Sequence, residues 1–221
     1  MKSFACFIMG CGIVFSLTAA GVGQQRDDPQ HSYAIPEEGT GVAHMDISCA
    51  PAVAAKFDRA LALLHNFWYS RALESFQQIL GADPECAMAY WGAAMTYNHP
   101  FWDPPSVSDE SAAWKFAKQA YGAKEMSARE RLYVNAIAAL YKDGGEGPKE
   151  ARDENYRDAM AMAYARFPDD ETKLFYGLAI LGTIREGTKG FEQDSLSKRR
   201  VLSAAIGPPG ERVGRYSRMV G

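Results

Sequence analysis

The chain has 221 residues, 47% of them apolar and 23% charged, a composition that suits a protein with a buried core and excludes a disordered one. A formal net charge of −3 excludes a strongly basic nucleic-acid binder on bulk electrostatics. The charge is uneven: setting aside Lys2 and the basic stretch from residue 198 onward leaves about −9 across residues 24–197, an acidic body with a basic tail.

Residues 1–23 have the three-part layout of a secretory signal peptide. Lys2 gives a positive start, residues 4–17 are an uncharged apolar run, and small residues at 19–23 offer cleavage positions before polar Gln24, Gln25 and Arg26. An uncleaved anchor and lipid attachment at Cys11 are the alternatives. The run is short for a membrane span, and only about seven apolar residues precede Cys11. No later segment reaches membrane-spanning length, so the mature chain is expected to be exported, periplasmic or secreted, without stable membrane insertion.

Residues 24–48 are polar, rich in Pro and Gly and without period, and read as an extended, mostly disordered arm. From Pro51 the pattern turns helical. Phe57, Ala60, Leu61 and Leu64 share one face, and Tyr69, Ala72, Leu73, Phe76 and Leu80 share a second that Gly81 and Pro84 end. A third helix carries Ala87, Met88, Tyr90, Trp91, Ala94 and Met95 and stops before His99 and Pro100. The segment HPFWDPPS, with three prolines, breaks the helix. Ser108 with Asp109 is read as the cap of a fourth helix holding Ala112, Ala113, Phe116 and Ala120. Ser127 and Glu130 form a capping-box pattern opening a fifth through Leu132, Val134, Ile137 and Leu140. DGGEGP ends it. Further helices are expected at about 149–166, 170–183 and 191–206, and residues 207–221 as a disordered tail. No stretch combines period two with hairpin-turn residues, so no sheet is expected.

Eight helices would pair into four hairpins over residues 49–206, with first helices starting near 53, 86, 127 and 170, at intervals of about 33 to 43 residues. Such spacing is the mark of an all-α helical-repeat array, an α-solenoid. The first unit is clearest. Ala72, Phe76 and Pro84 follow the A-x3-F-x7-P pattern of a tetratricopeptide second helix, in which Ala allows close approach, Phe fills the groove and Pro stops the helix. Met160 and Pro168 echo it in the third unit, with Tyr156 replacing the small residue.

The residues Leu64-His65, Phe67-Trp68-Tyr69, Ala72, Phe76, Asp83-Pro84, the run from Cys86 to Gly92 (CAMAYWG) and His99-Pro100-Phe101-Trp102 together resemble the opening of a family of exported bacterial tetratricopeptide-repeat (TPR) proteins. The likeness covers roughly residues 47–185 and is strongest in its first third. It implies a helical-repeat fold and an exported scaffold, and it carries over no catalytic residues. Members of that family look longer. The ending GPPGERVGRYSRMVG therefore fits a truncated or frameshifted terminus, with an incomplete cap on the array.

His65, Trp68, Tyr69, Trp91, His99, Phe101 and Trp102 are the candidate binding surface, an aromatic groove for an extended peptide on the concave face of the array. The competing reading has these aromatics sealing the packing between hairpins. His44, His65 and His99 lack the i, i+4 spacing of paired helix ligands, so no metal is expected. No nucleotide-binding or hydrolase motif stands out, and neither a cofactor nor a catalytic residue is expected. Gly144, Gly145 and Gly147 read as a linker, Asp169 and Asp170 as a helix start, and Lys198, Arg199 and Arg200 as a solvated helix end. The function expected is a scaffold that binds a protein or peptide partner. An enzyme or accessory domain with an aromatic-lined site is the first alternative, and a fragment without independent function the second.

Export leaves Cys49 and Cys86 as an even pair in an oxidising compartment. First helices of successive hairpins lie side by side about 8–10 Å apart. Cys49 precedes the first and Cys86 opens the next, so both sit at the same end of the stack. A Cys49–Cys86 disulfide is predicted, against the alternative of two separate buried thiols.

Overall fold

The computed structural model describes residues 40–100 and 104–184, and these residues are helical apart from their connections. They belong to the unit Ile35–Gly221; residues 1–23, expected as a signal peptide, residues 24–39, Phe101 and Trp102, the helix expected at 191–206 with its basic run, and the tail expected at 207–221 lie outside them. After a 3-10 turn at Pro51–Val53 come α1 (Ala54–His65), α2 (Tyr69–Ala82), α3 (Ala87–Met95), α4 (Val107–Gly122), α5 (Ala128–Gly145), α6 (Lys149–Arg166) and α7 (Asp170–Gly182). No strand occurs among the described residues. The protein is all-α. No helix among them is long and apolar enough to cross a membrane.

Each helix packs against the next in chain order, and α3 also touches both α1 and α5. The expected face of α1, Phe57, Ala60, Leu61 and Leu64, is closed off from solvent. On α2, Ala72 and Phe76 are closed off as expected, but Ile79 joins them while Tyr69, Leu73 and Leu80 are only partly buried. Phe76 meets Phe57 edge to face, ring centroids 5.7 Å apart. Gly92 lies directly under the Phe76 ring, where a Cβ would stand inside it, so the third helix approaches the second only because that position lacks a side chain.

Capping boxes open two of the helices, α4 and α5. Ser127 accepts from the Glu130 amide at 3.2 Å, while the Glu130 carboxylate accepts from the Ser127 amide at 2.6 Å, the predicted capping box. The cap of α4 differs from expectation. Ser106, not Ser108, holds it, because Ser106 stands three residues before Asp109 and the two exchange reciprocal hydrogen bonds. Those bonds from Ser106 hold the Asp109 carboxyl below its usual value. At the end of α5, Lys142, Asp143 and Gly144 leave helical geometry where the DGGEGP segment was expected to break it.

Two further features join the hairpins. The buried Arg152 of α6 donates to Glu110 of α4 at 2.8 Å and to the Leu140 carbonyl of α5 at 2.9 Å. At the other end, Cys49 and Cys86 form the predicted disulfide, with a Cα separation of 4.8 Å.

Residues 40–48 correct the sequence reading. They have no regular secondary structure, as an arm should, but they are docked rather than free. Ala43 and Met45 are buried, Met45 donates its amide to Asp58, and Ser48 donates its amide and hydroxyl to Glu130. Two apolar side chains in alternation are too short a pattern to stand out in a polar stretch, and the acceptors that fix the segment lie on α1 and α5.

Candidate functional site

The expected binding residues divide into three groups. His65 and Trp91 lie inside the protein. Trp91 is fully buried, meeting Tyr133 of α5 at 5.3 Å and Phe175 of α7 at 5.1 Å between ring centroids, both edge to face. Phe175 also packs 5.2 Å from the His65 ring, whose Nε2 lies 2.7 Å from the Glu171 carboxylate. Helix α7 thus sets an aromatic ring against side chains of α1, α3 and α5 and a carboxylate against His65 of α1. Trp91 is core, so as a contact residue for an outside partner it is corrected.

Trp68, Tyr69 and His99 form a second group around the α1–α2 turn. Tyr69 stacks on the His99 ring at 4.3 Å, and His99 has a ring nitrogen 3.2 Å from the Thr96 carbonyl. Burial pushes the Tyr69 hydroxyl well above its ordinary pKa, so it stays protonated. Trp68 is 40% exposed and remains available to a partner. Phe67 beside it takes a left-handed backbone, φ 60°, to make the turn between the helices. Phe101 and Trp102, the third group, lie outside the described residues.

The three described histidines meet separate partners: His65 pairs with Glu171, His99 with Tyr69 and Thr96, and His44 with Asp58 and Asp46. Cys49, Asp83 and Cys86 bring three metal-type donors close together. Their sulfurs are bonded to each other, and the Asp83 carboxylate accepts from the amides of Ala50 and Glu85.

An open cavity of about 780 Å³ lies between the docked segment and two helix starts. One wall is Val42, Ala43, His44, Met45 and Asp46; the other is Ser127 and Arg129 at the start of α5 with Asp169, Asp170 and Glu171 at the start of α7. Arg129 is held by Asp169 at 2.8 Å and lies over the Tyr133 ring, 5.6 Å from its centroid. Burial works against the Arg129 charge, but the bond to Asp169 and the field of Glu171 outweigh it and raise its pKa. The fully buried Tyr133 hydroxyl has no hydrogen-bond partner among the described residues, and desolvation raises its pKa. Four carboxylates face one guanidinium and one imidazole, so the cavity is acidic and suits a cationic group.

Sequence spacing gave no sign of this cavity. Asp169 and Asp170 read only as a helix start, which they are, with Asp169 accepting from the Thr172 amide at 2.9 Å. Arg129 had no motif to mark it, and residues 42–46 lie more than eighty positions from it.

The bond to Asp58 raises the His44 pKa above 6.5, the charge of Asp58 and the contacts with Asp46 adding to it. A raised pKa means the contact is fully present below pH 6.5 and fades as pH climbs through the higher folded value. Hydrogen exchange of residues 40–48, corrected for its intrinsic pH dependence, should therefore quicken modestly as pH rises above 6.5 through the folded value. His44→Gln should flatten that rise; an unchanged profile in the variant would remove His44 from the account.

Fold and site together define an all-helical protein with a docked N-terminal segment and an acidic cavity beside it. No protein-family model, curated protein or solved structure matches the chain.

Proposed function

We propose that the protein is an exported TPR-like helical-repeat scaffold that binds a protein or peptide partner through the cavity between residues 42–46 and the starts of α5 and α7. The observation that carries this reading is the cavity itself, open to solvent and bordered by three chain segments distant in sequence. The pairing of helices in chain order, with first helices starting at residues 54, 87, 128 and 170, supports the repeat architecture. The disulfide is compatible with export, where oxidising conditions preserve such bonds.

Phe175 and Glu171 fill the space between His65, Trp91 and Tyr133 where an open solenoid would leave a peptide groove, which supports the cavity as the proposed binding surface. Its acidic lining favours a partner that presents lysine or arginine. Asp46 and Asp170 are exposed, so reversing their charges leaves the core untouched. Capture from the cell envelope by the wild type and by Asp46→Lys/Asp170→Lys, read by mass spectrometry, tests the proposal. Proteins held by the wild type should be lost from the variant while its helical circular dichroism is unchanged. The same proteins held equally by both would contradict a cationic partner in this cavity.

A further inference from the structure

The segment that walls the cavity is tied down in two ways. Non-covalent ties run from Met45 and His44 to Asp58 on α1, and from Ser48 to Glu130 on α5. The covalent tie is Cys49–Cys86, at the point where the segment meets the helices. Everything between the two cysteines is the α1–α2 hairpin, which is held by its own buried face through Phe57 and Phe76. Breaking the bond therefore removes a constraint chiefly from the residues before Cys49.

The two sulfurs also differ in access. Cys49 is half-buried, whereas Cys86 is 1% exposed and sits at the N-cap of α3. A thiolate from solvent reaches Cys49 first. The sulfur it expels is Cys86, where unpaired amides at the helix start favour a thiolate and the neighbouring Asp83 opposes it.

From this placement we infer that Cys49–Cys86 is a redox latch on the cavity: reduction by a dithiol donor frees residues 40–48 and widens the site for its partner. The donor's thiolate bonds to Cys49 Sγ as the Cys49–Cys86 bond breaks, and Cys86 leaves as thiolate and takes a proton. The donor's second thiol then attacks the donor sulfur of the mixed disulfide, releasing Cys49 as a thiol and closing the donor's own disulfide. Two electrons and two protons pass from the donor to the cysteine pair. The inference rests on the reading of the cavity as the binding site, but its test needs no partner.

Hydrogen exchange of the full chain, with and without dithiothreitol, provides that test, with Cys49→Ser/Cys86→Ser as a permanently open form. Alkylation of Cys49 and Cys86 verifies reduction. Exchange at residues 40–48 should rise about tenfold or more in both the reduced protein and the variant, while α5 and α6 change by less than about twofold. Unchanged exchange at 40–48 after verified reduction would overturn the latch. An equal rise through all helices would also overturn it, making the bond a staple of the whole fold. If the latch opens but charge reversal spares partner capture, the proposed function fails and the latch stands.

Discussion

Phe175→Ala should lower the free energy of unfolding by about 3–5 kcal/mol, the usual range for deleting a buried aromatic ring. Phe175 is one of the largest fully buried side chains, and its ring fills the space between His65, Trp91 and Tyr133. Two edge contacts, with Trp91 and Tyr133, and a tilted contact with His65 are lost at once, and the neighbours that remain are large and held on three different helices, so the void collapses poorly. A typical domain is stable by only about 5–15 kcal/mol, so the loss is a large fraction of the whole. Urea unfolding followed by circular dichroism measures it. A loss under about 1 kcal/mol would mean that Phe175 does not seal the space between His65, Trp91 and Tyr133.

Glu130→Ala should destabilise the protein by about 2–3 kcal/mol, because it strands several donors with one substitution. The carboxylate is 1% exposed and accepts from the Ser127 amide at 2.6 Å, the Ser48 amide at 2.6 Å and the Ser48 hydroxyl at 2.5 Å. It thus caps α5 and anchors residues 40–48 together. Glu130→Gln keeps one acceptor oxygen and should lose roughly half as much. The same unfolding experiment ranks the two, and equal stability of Glu130→Ala and wild type would remove this anchor from the account.

These two residues mark what the sequence could and could not reveal. Glu130 was visible as half of a capping box, since that pattern is local and Ser127 lies three residues away. Its second role, holding Ser48, joins positions 82 residues apart and leaves no local trace. The helical faces of α1 and α2 were legible because apolar spacing reports burial directly. The disulfide was legible because an expected array of hairpins puts its first helices side by side, bringing Cys49 and Cys86 to the same end. Trp91 shows the limit. Spacing placed it on a helix face, but whether that face opens to solvent depends on Phe175, 84 residues later. The α4 cap was misplaced by two residues because Ser106 and Ser108 both precede Asp109 closely, and only the serine three positions away can exchange both bonds.

The proposed partner site is the cavity walled by residues 42–46, and not another part of the surface. Val42 and Val107 are the natural pair for testing it, since they are 82% and 80% exposed and only Val42 lines the cavity. A photo-crosslinking amino acid substituted at each position, in separate chains expressed in the native envelope, reports which surface is occupied. Covalent adducts to a partner at position 42, with few at position 107, are the predicted result. Equal adducts at both positions, or adducts at 107 alone, would contradict the cavity as the binding site.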